Sequence, residues 1–328
     1  MKSEILEPSE APVQVSLFQA AVWVAAIFLL IASIYISGVK PIGISADLRN
    51  YELLYNASAI NDWATVLGGS DSGYFALAKL AAMGGLLFDA FAFLLAAGTC
   101  ILLYFVAREI DTNRAVLIAI YLSYLFWLHE YTQIRIAAAM AIGLYAMYAT
   151  RPTIRWPLFL AAVLLHNSFV AVVGVYALVK ARRFDVLVLL GLAALALYLS
   201  PFSAGLAQRI ANYQDLASAT GQFTDINLFS LMPLVQLSGI GLAILHFKKL
   251  GIEAREELIF SAVGFASFYV LSSLPVLAFR TYELFMPFFV ILLSRLWRDS
   301  ILIKGVILVW ILLGLRSAFF TADSVVIL

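Results

Sequence analysis

Val15–Ser37 reads VSLFQAAVWVAAIFLLIASIYIS, 23 residues without a charged side chain. A helix of about 20 apolar residues covers the hydrocarbon core of a bilayer and satisfies its own backbone polar groups there. The stretch is therefore read as a first transmembrane helix. The preceding MKSEILEPSEAPVQ carries three Glu and one Lys in place of a basic leader, and no small-residue cleavage site precedes Lys40. The segment is expected to remain uncleaved.

Further apolar runs follow at 86–107, 115–128, 136–149, 156–165, 169–179, 186–202, 228–247, 258–277, 284–293 and 306–320. Several are too short to cross a bilayer upright, so they must tilt, kink, re-enter or line water. Of 328 residues 63% are apolar and 12% charged, with a mean hydropathy of +0.97. Soluble domains sit near half apolar and a quarter charged. The expected fold is all-α: a polytopic membrane protein of about 10–11 transmembrane or re-entrant helices, one integral membrane domain over 1–328. Two long external loops are expected, at about 38–85 and 203–227.

Threading eleven segments with the N-terminus in the cytoplasm places 14 of the 21 Lys and Arg residues on the cytoplasmic side, the bias expected of short loops. Residues 156–179 read either as two short spans or as a re-entrant hairpin, and both leave the other loops where they are. The net charge of +1 argues against a nucleic-acid surface. The single cysteine, Cys100, excludes an internal disulfide. Zinc-ligand spacing, a nucleophile elbow, a P-loop and an Asp-rich pair are all missing from the sequence. The simplest site therefore uses neither metal nor cofactor.

An ionisable side chain at the bilayer centre costs about 3 kcal/mol on insertion scales, so those among apolar runs are informative. The first group is His129-Glu130-Tyr131-Thr132-Gln133-Ile134-Arg135. Arg135 opens a helix with a small face (Ala137, Ala138, Ala139, Ala141, Gly143) that permits close packing. An arginine at a helix N-terminus suits a phosphate or diphosphate; the alternative is an arginine paired with Glu130. The second is His166 in Leu165-His166-Asn167-Ser168, which interrupts an apolar run. It faces a wet cavity as a general base, or bonds a backbone carbonyl structurally. The third is Phe279-Arg280-Thr281-Tyr282-Glu283, between Pro275 and Pro287, where the helices are expected to break or kink. Arg280 is a second arm of an anion clamp, or it only satisfies Glu283.

In the external loops, 51–67 and 208–219 read as amphipathic interfacial helices. With Arg49, Tyr51, Asp71, Tyr74, Arg209 and Tyr213 they form a lid over a cavity, or ordinary surface.

Asp47…Tyr51…Tyr55, Ser72-Gly73-Tyr74, Gln133-Ile134-Arg135-Ile136-Ala137, Leu165-His166-Asn167-Ser168 and Arg280…Tyr282 together resemble the EpsG-like family, which includes Wzy-type polymerases of O-antigen and exopolysaccharide. The resemblance runs from about Asp47 to Phe288. One departure is that members commonly start the small-residue helix with Arg-Gln, whereas here Gln133 precedes Arg135 by two.

The resemblance implies a bacterial inner-membrane protein whose external loops are periplasmic. It implies a glycan chain on undecaprenyl pyrophosphate as donor and a second lipid-linked repeat unit as acceptor. An acceptor hydroxyl attacks the anomeric carbon and undecaprenyl pyrophosphate leaves. Arg135 and Arg280 would hold the diphosphate, with help from Arg49 or Arg209. His166 would be the general base, with Glu130 as runner-up. Tyr51, Tyr74, Tyr213 and Tyr282 would contact sugars, and Gln133 and Glu283 would join the substrate site. A chain-length regulator is an implied partner. The competing functions are a flippase or transporter of lipid-linked oligosaccharide, an O-antigen-ligase-like glycosyltransferase using the same donor, and a membrane acyltransferase.

Overall fold

The computed structural model describes residues 17–40, 46–69, 71–149, 151–183, 227–272 and 274–320. The predicted run at 186–202, the helix at 208–219, Arg209 and Tyr213 lie outside the described residues. Within them the protein is all-α, with no strand, as a polytopic membrane protein requires.

Helix α1 (Leu17–Gly38) packs on α5 (Phe88–Glu109). Between them α2 (Ala46–Ile60), α3 (Trp63–Gly68) and α4 (Ser72–Met83) form a small cap. The single helix expected at 51–67 is two helices, because Asp62 leaves the helical conformation and accepts the Thr65 N–H at 2.7 Å to cap α3. Lys79 on α4 donates to the carbonyls of Ser58, Ala59 and Asn61 at the C-terminal end of α2, where the helix dipole favours a cation. Leu48, Tyr51 and Tyr55 of α2 turn inward, and the Tyr55 hydroxyl donates to the Leu86 carbonyl at 2.5 Å.

The interior follows as α6 (Arg114–Ser123), a π-helical turn (Trp127–Thr132), α7 (Ile134–Tyr148), α8 (Pro152–Leu165), a 3-10 turn (Asn167–Phe169) and α9 (Val170–Lys180). After the undescribed stretch come α10 (Leu231–Leu245), α11 (Ile252–Val270), α12 (Pro275–Leu296) and α13 (Ile301–Phe319). Among the described residues three helices are long and apolar enough to cross a membrane: α5, α12 from Leu277, and α13. The apolar window of α12 is 78% buried, against 33% for α5 and 28% for α13. Helix α12 is therefore the bundle's centre, and α5 and α13 present apolar surface outward.

Two glycines set the close approaches that build the site. A Cβ on Gly143 of α7 would overlap the Phe169 ring, so the 3-10 turn can lie directly on α7. A Cβ on Gly73 would come within 2.9 Å of the Leu164 backbone, so the head of α4 docks on the end of α8. The predicted small face is the means by which α7 fits between α5 and α8: Ala137, Ala138, Ala139 and Ala141 are buried.

The break expected around Arg280 lies earlier. Pro275 is the first residue of α12, where a missing N–H costs nothing, and the helix continues through Pro287. Arg280 therefore stands on a rigid helix. At 156–179 the chain forms two helices parted at His166, whose backbone is extended (φ −152°, ψ 105°).

Helices α7 and α12 run in the same direction. Their starts bring Gln133 and Glu283 side by side. At their far ends the Tyr148 hydroxyl donates to Glu257 at 3.0 Å and Arg295 Nε donates to Glu257 at 2.9 Å. Fifteen residues of α7 separate these polar clusters by about 22 Å.

Candidate functional site

The site forms where the heads of α4, α7 and α12 meet the α8–α9 break. Arg135, the second residue of α7, donates from Nη1 to Asp71 Oδ2 at 2.8 Å. Its guanidinium lies 5.0 Å from the Tyr51 ring centre and 5.5 Å from that of Tyr74, so two aromatic faces fix its plane. Arg280 approaches Asp47 at 3.4 Å and Glu283 at 3.7 Å. These separations are longer than the 2.7–2.9 Å of a well-formed charge-assisted bond. The second arginine is loosely held, the first tightly.

Tyr51 joins the two. Burial and the charge of Asp47 push its phenol up to about 12, against the opposing pull of both Arg135 and Arg280. One buried phenol thus lies in the field of both guanidiniums.

Asp71 is the hub. It has left-handed backbone (φ 54°, ψ 36°), which Asp tolerates better than most residues. It precedes α4 without capping that helix through its side chain. Instead Oδ1 accepts the Asn167 N–H at 2.7 Å, while Oδ2 accepts from Arg135 and stands 3.5 Å from His166 Nδ1. Burial works to raise this carboxyl, but the close approach of His166, the Asn167 hydrogen bond and the charge of Arg135 outweigh it and hold it below the ordinary value.

Beneath the arginines lie His129, fully buried, with Gln133 between it and Glu283. Many buried polar atoms here lack a hydrogen-bond partner among the described residues: Arg135 Nε, Arg280 Nη1, both ring nitrogens of His129 and His166, Gln133 Oε1, Glu283 Oε2 and the Tyr74 hydroxyl. A buried polar group left unpaired costs about 1–3 kcal/mol, and native proteins tolerate few of them. Their concentration in one place makes this cluster the candidate site.

The remaining predicted residues fall elsewhere. Glu130 turns away from Arg135: its carboxylate accepts the Tyr121 hydroxyl at 2.7 Å and its carbonyl accepts Lys40 Nζ at 2.9 Å. Arg49 is exposed on α2. The Tyr282 ring packs on Phe268 at 4.9 Å between centres, a core contact, with its hydroxyl buried.

Asp47, Asp71 and His129 stand in stretches read from the sequence but were given no role in the site there. Asp71 contacts Arg135 across 64 residues and Asp47 contacts Arg280 across 233, so local spacing carries no trace of either pair. The loop before the two arginines holds four carboxylates, Asp47, Glu52, Asp62 and Asp71, and nothing local tells which of them meets an arginine. Each arginine already has an acidic partner, so an anion at either one would have to displace a carboxylate. Among the described residues, no three His, Cys, Asp or Glu side chains converge as a metal site.

A family model described as the EpsG family matches residues 22–326, nearly the whole chain. No curated protein and no solved structure matches it.

Proposed function

We propose, from the premise that this chain belongs to the EpsG family, that its polysaccharide-polymerase activity joins undecaprenyl-pyrophosphate-linked repeat units at the periplasmic face of the inner membrane. The observation that carries the reading is the convergence of Arg135 and Arg280 on Tyr51 among unpaired buried polar atoms.

The donor's diphosphate enters between the guanidiniums. Arg135 is pre-set by Asp71 and two aromatic rings. Arg280, held by Asp47 at only 3.4 Å, exchanges that carboxylate for a phosphate oxygen. The acceptor hydroxyl comes to His166, which takes its proton as the oxygen attacks the anomeric carbon. The bond from that carbon to the diphosphate oxygen breaks, and the electron pair departs with the leaving group. Negative charge grows between the two arginines as it does so. Preorganised cations aimed at developing charge lower such a barrier by several kcal/mol. Gln133, His129 and Glu283 supply donors and acceptors for sugar hydroxyls. The orientation follows the positive-inside bias, which puts the N-terminus in the cytoplasm.

The test uses purified protein and lipid-pyrophosphate-linked repeat units alone. The expected product is a ladder of lengthened glycans on a gel, lost in Arg135→Ala and Arg280→Ala with membrane levels unchanged. Translocation without lengthening would instead make the protein a flippase. Full ladders from both variants would remove the clamp.

A further inference from the structure

We infer that Asp71 is a positioning residue of the reaction, paired with His166 so that the imidazole presents Nε2 to the acceptor hydroxyl. The inference rests on the reading of His166 as general base, and adds a residue and a tautomer to it.

An ionised carboxylate only accepts hydrogen bonds. Nδ1 of His166 stands 3.5 Å from Asp71 Oδ2, just outside a formed hydrogen bond, and both ring nitrogens are buried without a partner among the described residues. A carboxylate on the Nδ1 side favours hydrogen on Nδ1, which leaves the lone pair on Nε2. A base with a free, buried lone pair is prepared to take a proton from a bound substrate.

Three elements hold this arrangement. Asp71 heads α4, and its other oxygen accepts the Asn167 N–H at 2.7 Å. That bond fixes the backbone next to His166. The Gly73–Leu164 approach locks the two helix ends together. The left-handed backbone of Asp71 turns its side chain away from its own helix and toward the α8–α9 break. Forgoing a helix cap and adopting a sparsely populated conformation are both costs, of the kind that cluster at functional sites.

Charged groups reach the imidazole from every side. Asp71 comes from α4, Arg135 from α7 and His129 from the π-helical turn. Helix α12, which packs on the 167–169 turn, brings Arg280 and Glu283 to the same pocket. Tyr74 follows on α4, whereas Lys79 lies beyond it at the end of α2. The titratable groups of α8 and α9 (Arg155, Tyr176 and Lys180) meet one another at the far ends of those helices. Asp71 is the anion nearest to His166, so it favours the imidazolium that forms as the proton arrives. The bookkeeping is closed: Nε2 gains the acceptor's proton, the acceptor oxygen gains a bond to carbon, and the diphosphate takes the electrons of the bond that breaks.

The experiment is Asp71→Asn in the full chain, read in two ways. The first is kcat for glycan lengthening, beside His166→Ala. Losing the anion removes the group that orients the imidazole, so kcat should fall about 10²-fold, the usual scale of a general base. The second is ¹⁵N NMR of histidine-labelled protein. The chain has only three histidines, and His166→Ala assigns the signal. The wild type should show Nδ1–H, and Asp71→Asn should lose that preference. An unchanged His166 tautomer in Asp71→Asn would overturn the pairing and leave Asp71 as a partner of Arg135 only. Normal turnover in His166→Ala would overturn the base itself, and with it this inference. A wild type that lengthens nothing would defeat the polymerase reading, yet the NMR measurement still decides the Asp71–His166 pairing.

Discussion

Asp71 and Arg135 stand 2.8 Å apart, carboxylate against guanidinium, although 64 residues separate them in the chain. The contact exists because a glycine-mediated approach seats the head of α4 on the end of α8, beside the first turn of α7. It makes the first arm of the clamp a fixed, charge-compensated cation. The second arm, Arg280, lacks such a bond.

That asymmetry predicts opposite effects at Asp47 and Arg280. Asp47→Asn removes the carboxylate that competes with diphosphate for Arg280. Partly exposed pairs are worth about 0–1 kcal/mol, so the donor KM should fall by up to about fivefold with little change in kcat. Arg280→Ala should lower kcat by about 10²–10³-fold, the scale of removing a preorganised donor to developing charge. Steady-state kinetics on purified protein separates the two, and a raised KM in Asp47→Asn would count against anion exchange.

The Asp71 carboxyl gives an acid limit to the stability of the site. Its value is held below the ordinary one in the folded protein. The stabilisation is therefore complete above the unfolded value of about 3.9 and is lost as pH falls through the lower, folded value. Thermal unfolding of wild type and Asp71→Asn in detergent should show the wild type's advantage near pH 6. The two curves should converge at the acid end, and parallel curves down to the lowest pH would refute the linkage.

Helix content and membrane insertion were legible in the sequence because they depend on run length and composition, which every window of 20 residues carries. The small face of α7 was legible for the same local reason. The break at His166 also showed itself, as one polar residue between two apolar runs. Carboxylate partners were not legible: Asp47–Arg280 and Asp71–Arg135 are long-range pairs set by how the cap of α2–α4 docks. The division of the cap into three helices turned on Asp62, whose capping bond to Thr65 outweighs the apolar spacing that runs on through 67. Arg280 was expected at a break or kink because Pro275 and Pro287 flank it, yet one proline opens α12 and the other is carried inside it.

Gly143 predicts a packing defect that propagates into the site. Any side chain there meets the Phe169 ring, which anchors the turn next to His166 and Asn167. Gly143→Val should destabilise the protein by about 1–3 kcal/mol, as overpacking does, and should lower turnover as well. Gly143→Val with Phe169→Ala should recover part of the stability, because the second change opens the space that the first fills. A double variant no more stable than Gly143→Val alone would place the strain elsewhere.

The far end of α7 and α12 supplies the contrast that separates structure from chemistry. Glu257 is buried and bonded by both Arg295 and Tyr148, about 22 Å from Arg135 along α7. Breaking one partner of a buried ion pair costs about 3–5 kcal/mol, because the other charge is left uncompensated. Arg295→Ala should thus lower thermal stability more than Arg135→Ala, whose partner Asp71 keeps the Asn167 N–H. Per folded molecule, however, Arg295→Ala should retain most of its turnover and Arg135→Ala almost none. Comparing unfolding midpoints with specific activity in the same preparations decides the point. Equal loss of activity in the two variants would mean that Arg135 only supports the fold, and its place between Tyr51 and Tyr74 would then need another explanation.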